Sequence, residues 1–236
     1  MLVIAASSTW AGVVPPQATP YGHSYADWLA KWWQWSLAFP ADADPGSDTA
    51  RQNSAQAGPV WFLAGVHGNA QTGVISVVTR DLTMPAGRAL FFPVLSTWTD
   101  NSGCPYTDFT VPELEAQIAG AWSAVTETAC SIDGVPVAGL GDPQTTPFLI
   151  QPTVFSYTVA SHDNLLAGVY GETCIPDRTT VSPAVALGTS VMLTPLSPGH
   201  HIIHFVGIVG PASSPFVEID VTYNINIVSD LNNDRE

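Results

Sequence analysis

Between residues 216 and 228 the chain alternates without a break. Val217, Ile219, Val221, Tyr223, Ile225 and Ile227 fall on one side, and Glu218, Asp220, Thr222, Asn224 and Asn226 on the other. A strand repeats every two residues, so this segment predicts one with a core face and a water face, the pattern of antiparallel pairing. Shorter apolar runs predict further strands at 60–64, 74–84, 89–95, 131–137, 153–159, 190–196 and 201–209. Pro85-Ala86-Gly87, Asp133-Gly134 and Ser197-Pro198-Gly199 supply turns between them.

Two segments change period. In 21–40 (YGHSYADWLAKWWQWSLAFP), four tryptophans, Trp28, Trp32, Trp33 and Trp35, fall within eight residues. Ser24 with Asp27 three residues on predicts an N-cap, and Pro40 closes the far end. At 100° per residue Trp28, Trp32 and Trp35 share a flank with Tyr25, while Trp33 lies opposite with Leu29 and Leu37; Asp27, Lys31 and Gln34 remain as a polar stripe. Four indoles carry on the order of 600–1,000 Å², more than a soluble monomer usually leaves exposed, so something must cover them. The expectation is a core flank of Trp28, Trp32 and Trp35, with Trp33, Leu29 and Leu37 turned toward a partner or ligand. The second helix starts from a Thr110/Glu113 capping box with Pro112 in its first turn, and Leu114, Ile118, Trp122 and Val125 recur at helical spacing to about residue 126. Together these elements predict a mainly β protein, an antiparallel sandwich of immunoglobulin-like or jelly-roll-like kind with two helical insertions. It occupies residues 21–236 as one domain of at least seven strands, with no internal repeat and a polar loop at 41–58.

Composition narrows the class. Charged residues make up 11%, Lys31 is the only lysine, and 20 acids against 6 bases give a formal charge of −14. That balance repels phosphate backbones and argues against nucleic acid. No run approaches the length of a membrane span. Residues 1–12 (MLVIAASSTWAG) read as a clipped export signal with Ala11 at a cleavage position, or, with the residues up to 20, as an extended N-terminal arm. The three cysteines fit no zinc spacing; in an exported protein they imply one disulfide and one free thiol, and Cys104 with Cys130, flanking the second helix, is the favoured pair.

Candidate chemistry meets strong structural alternatives. Gly22-His23-Ser24-Tyr25-Ala26 imitates a nucleophile elbow, but too little chain precedes it to build the required sheet, so Ser24 reads as a helix cap. His200, His201 and His204 sit on a predicted strand, where the first and last are about 13 Å apart and cannot share an ion; His67 or His162 would have to complete a site. His201 instead joins the inward set with its ring nitrogen satisfied by backbone. Asp42, Asp44 and Asp48 offer oxygen ligands to calcium, although the spacing is not that of an EF-hand and a solvated acidic loop is favoured; no other cofactor is implied. No carboxylate pair marks a glycosidase.

The segments YGHSYADWLAKWWQW, GPVWFLAG, TRDLTMPAGRALFFPVL, SIDGVPV and PLSPGHHIIHFVG with FVEIDVTYNINIV resemble a family of uncharacterised exported bacterial single-domain proteins. That family carries a Trp-rich N-terminal helix and a C-terminal PGxHxIxF strand motif, and the resemblance runs from about Tyr21 to Val228. It implies export and one sandwich-like domain, and no activity. Three functions follow from the residues. The first is a non-catalytic secreted or envelope protein acting by self-association, adhesion or binding of an envelope partner. The second is an extracellular module whose indoles stack on a glycan or other ligand. The third is an exported hydrolase.

Overall fold

The computed structural model describes residues 12–47, 52–67, 74–211 and 213–229. Residues 1–11 of the segment read above as an export signal, and Asp48, lie outside them. Among the described residues nine strands form two sheets: β1 (Val60–Phe62), β2 (Val74–Pro85), β3 (Ala89–Asp100), β4 (Val125–Ile132), β5 (Val135–Pro136), β6 (Leu149–Thr158), β7 (Thr180–Leu193), β8 (Gly199–Val209) and β9 (Val217–Val228). The four-stranded sheet has the order β1-β3-β7-β6 and the five-stranded sheet β2-β9-β8-β4-β5. The fold is therefore the mainly β sandwich that the alternation implies. Both sheets are mixed, however: β1 runs parallel to β3, and β2 parallel to β9 along its whole length. The Asp133-Gly134 turn closes a true hairpin between β4 and β5, whereas Pro85-Ala86-Gly87 and Pro198-Gly199 carry the chain from one sheet to the other.

Helix α1 (Tyr25–Leu37) begins at a complete capping box, Ser24 with Asp27, and the Asp27 carboxyl is held below its usual range by the Ser24 hydroxyl and amide that donate to it. Helix α2 (Val111–Trp122) repeats the device with Thr110 and Glu113. It ends earlier than the periodicity suggests, because Val125 is already paired to Val209 in the five-stranded sheet. A four-residue helix α3 (Leu165–Gly168), capped by Asn164, follows β6. The N-terminal arm lies along the end of β7, where Val13 bridges Leu193.

The two long helices flank opposite faces of the four-stranded sheet. Trp98 of β3 meets Trp33 of α1, while the next residue, Thr99, reaches Gln117 of α2, and successive strand side chains point to opposite faces. The face shared with α2 also packs on the five-stranded sheet, where Phe92 stacks on Phe205 at 5.2 Å. A bulge between Pro93 and Leu95 shifts the parity of β3, so Leu95 points the same way as Phe92. Two glycines make room for it: a Cβ on Gly207 would stand 2.8 Å from Leu95 Cβ, and one on Gly188 would stand 2.4 Å from Ser96 Cβ.

Cys104 bonds to Cys174, with Cα atoms 5.7 Å apart, and not to Cys130. Cys130 lies mid-strand in β4 opposite Phe205, facing inward, whereas Cys104 sits on the surface connection between β3 and α2. Burial pushes the Cys130 thiol up to about 12. No helix among the described residues is long and apolar enough to cross a membrane.

Candidate functional site: an aromatic cavity beside a buried histidine

The Trp-rich helix has no open flank. Trp33 is 3% exposed, Leu29 and Leu37 are fully buried, and Trp28, Trp32 and Trp35 are buried as well. The expectation of a partner-facing side at Trp33, Leu29 and Leu37 is therefore not met, because the chain covers both flanks itself. Segment 54–63 covers the first: Trp32 donates its indole N–H to the Leu63 carbonyl (2.9 Å), Trp35 to Ser54 (3.3 Å), and both Trp28 and Trp35 pack on Phe62. Trp98 covers Trp33, with ring centroids 4.3 Å apart. The predicted polar stripe is where it was expected, with Asp27 and Gln34 exposed and Lys31 half-buried.

Beside Trp33 the packing leaves a cavity of about 160 Å³. It runs along β3 from Pro93 to Trp98, past the point at Phe91 where β1 stops pairing with that strand. Trp32, Trp33, Trp98 and Tyr170 form one aromatic end, and Trp122 with the aliphatic Val125, Val217 and Ile219 the other, toward the second sheet. Trp33 keeps its indole N–H without a hydrogen-bond partner among the described residues.

His67 stands in the wall between this cavity and a more polar cleft lined by Asp44, Gly46, Thr79 and Arg80. Its Nδ1 lies 2.9 Å from Asp44 Oδ2 and its Nε2 3.0 Å from Ser36 Oγ. A carboxylate only accepts, so Nδ1 donates to Asp44, while Nε2 meets the Ser36 hydroxyl. Burial pushes the Asp44 carboxyl up, but the His67 bond and charge, the Gly46 amide and the nearby Arg80 outweigh it and hold the group below its usual range. Arg80 is itself buried, donating to the Ala64 and Gly46 carbonyls and to the Tyr223 hydroxyl. The Tyr170 hydroxyl is pushed well above its ordinary value, first by burial and then by the Asp44 charge.

Serine, histidine and aspartate in hydrogen-bonded line are the components of a hydrolase triad. Attack on a carbonyl also needs a reachable nucleophile and donors for the developing oxyanion. Ser36 is 0% exposed on the last turn of α1 and lines neither the cavity nor the cleft. The line of groups acts as a brace between the end of α1 and the chain around Asp44 and His67.

The other residues singled out by sequence are placed as follows. Ser24 and Thr110 are helix caps. His201 shares a face with Ile203 and Phe205, and its ring contacts the Ser197 carbonyl (2.9 Å) and Asp133 (2.8 Å); His204 pairs with Asp220. Of the three aspartates offered to calcium, Asp42 is exposed and Asp44 turns inward to His67, while Asp48 lies outside the described residues. Among the described residues no three His, Cys, Asp or Glu side chains converge as a metal site. Sequence reasoning missed the brace because Ser36 and Asp44 lie 31 and 23 positions from His67, with no motif to join them. It missed the cavity because a void has no residue signature. None of the family models, curated proteins or solved structures compared with this chain matches it.

Proposed function

We propose that this chain is a non-catalytic exported sandwich that holds a small, mainly apolar molecule in the aromatic cavity. The observation that carries the reading is the cavity itself, about 160 Å³ between Trp33, Trp98 and the second sheet. A concave site of that size with a mainly apolar lining has room for a benzene-sized guest. Ligand sites are concave and mostly apolar with a few polar groups, and this lining has that composition. The aromatic surplus thus serves an internal site, which favours ligand binding over association through α1. The Cys104–Cys174 bond is compatible with an oxidising compartment.

Titration with toluene, followed by intrinsic tryptophan fluorescence and by melting temperature, tests the proposal. Binding to the folded state alone raises stability with ligand concentration, so a saturable rise is expected. Val217→Phe, which pushes a ring into the cavity, should abolish it while the protein still unfolds cooperatively. No shift in the wild-type protein at near-saturating toluene overturns the reading. One observation favours an enzyme, the Ser36–His67–Asp44 line. Covalent labelling of Ser36 by a fluorophosphonate would establish that alternative, and none is expected.

A further inference from the structure

We infer that the cavity binds a small molecule in which one apolar ring carries a secondary amide, and that the free edge of β3 pairs with that amide as a neighbouring strand would. The inference rests on the cavity reading above and adds to it the polar group of the guest.

The position of the cavity follows from strand geometry. It is lined by six consecutive residues of β3, from Pro93 to Trp98. Successive side chains of a strand point to opposite faces, so a hollow lying over one face meets every second residue, and only one at the edge meets them all. The other walls agree with that placement. Trp33 of α1 lines the cavity from one side of the sheet, and Trp122 of α2 with Val217 and Ile219 of β9 line it from the other. The opposite edge of β3 is paired with β7, none of whose residues line the cavity. The hollow therefore borders the edge on which β1 stops at Phe91.

That edge is polar. Upstream it is used by β1 and its flanks, where Ala89 donates to the Pro59 carbonyl (3.0 Å) and the Phe91 carbonyl accepts from Leu63 (3.2 Å). From Pro93 to Trp98 no backbone hydrogen bond from the described residues reaches β3 on this side. Pro93 is a residue that sheets admit at edges and bulges, and both are present here. Each strand residue turns its N–H and C=O to one edge and its neighbour turns them to the other, so beyond the bulge alternate residues present a donor and an acceptor to the cavity. A guest that fills the hollow displaces water from these groups and must pair them itself. It needs an acceptor and a donor side by side, as in a peptide unit; a secondary amide has both, while a ketone or an ester lacks the donor. The apolar walls take the ring. About 160 Å³ is below the roughly 300–1,000 Å³ of drug-sized sites, which suits one ring with one amide rather than a length of peptide strand.

The test compares N-methylbenzamide with methyl benzoate, which match in outline and differ in N–H against O, with toluene alongside. Dissociation constants are measured by titration calorimetry on the wild-type protein. A purely apolar site prefers the ester, since an amide buried without partners is the costlier group to desolvate. At a free strand edge the sign reverses: the amide should bind about fivefold tighter or more, because the ester oxygen meets an edge carbonyl with which it cannot pair. In isotope-labelled protein followed by NMR, one backbone amide within residues 94–98 should move downfield and exchange its hydrogen about tenfold more slowly with N-methylbenzamide, and not with toluene. Amide binding no tighter than that of the ester, or no such protection within 94–98, overturns the inference, while binding of toluene keeps the cavity as an apolar site. Failure of toluene as well overturns the cavity reading itself.

Discussion

Helices α1 and α2 begin alike and are then used differently. Each opens with a hydroxyl and a carboxylate three residues apart, and the two are 13 and 12 residues long. Helix α1 buries Tyr25, Trp28, Leu29, Trp32, Trp33, Trp35, Ser36 and Leu37, whereas α2 buries only Leu114, Ile118 and Trp122. Their C-terminal ends differ in chemistry too. That of α1 is braced through Ser36 by His67 and the Asp44 carboxylate, and that of α2 by the neutral amide of Gln144, which donates to the Trp122 and Val125 carbonyls. Caps set where a helix starts; how much of it becomes core depends on what the rest of the chain lays over it.

The largest effects should come from the buried flanks. Trp32→Ala should cost about 3–5 kcal/mol in urea unfolding, since it opens a void and strands the Leu63 carbonyl, and Leu37→Ala on another side of α1 about 2–5 kcal/mol. On α2 such losses should be confined to the Leu114 stripe, with Glu115→Ala within about 0.5 kcal/mol of wild type. Large losses on every side of α2 would erase the contrast.

The braces should separate next, and by pH. Asp44 has a folded-state pKa below its unfolded value, so its contribution is present above about pH 4 and is lost as pH falls through the folded value. Asp44→Asn should therefore be less stable than wild type by about 1–3 kcal/mol at pH 7, with the difference shrinking in acid. Gln144→Ala should cost about 1 kcal/mol at either pH. Parallel pH curves for the wild-type and Asp44→Asn proteins would remove the charged brace from the comparison. The smallest effects should be equal: Ser24→Ala and Thr110→Ala at about 1 kcal/mol each by thermal unfolding, and a marked inequality would show that the caps are not the shared element.

Much of this was legible from spacing. The β9 alternation and both capping boxes lie where the pattern put them, because each depends on neighbours within a few residues. The polar stripe of α1 was legible too, but the fate of Trp33 was not, since its cover, Trp98, lies on β3. The first ten residues of β7 escaped notice for a related reason. That strand is covered on both faces, so Ala184, Val185, Ala186 and Leu187 are all buried and no two-residue period survives. Parallel partners were invisible as well, because alternation reports faces and not neighbours. The Cys104–Cys174 bond, 70 residues apart in sequence, could not be chosen over Cys104–Cys130 from spacing alone.

The parallel pairing of β2 with β9 has a consequence for the order of events in synthesis. Among the described residues Val74–Pro85 find their only sheet neighbour in Val217–Val228, so the five-stranded sheet cannot close while the chain is still growing toward residue 228. Pairings of such separation form slowly, since a long loop must be gathered before any contact repays it. A nascent chain of this design leaves β2 without its partner until the last strand has been made, so the second sheet is completed last.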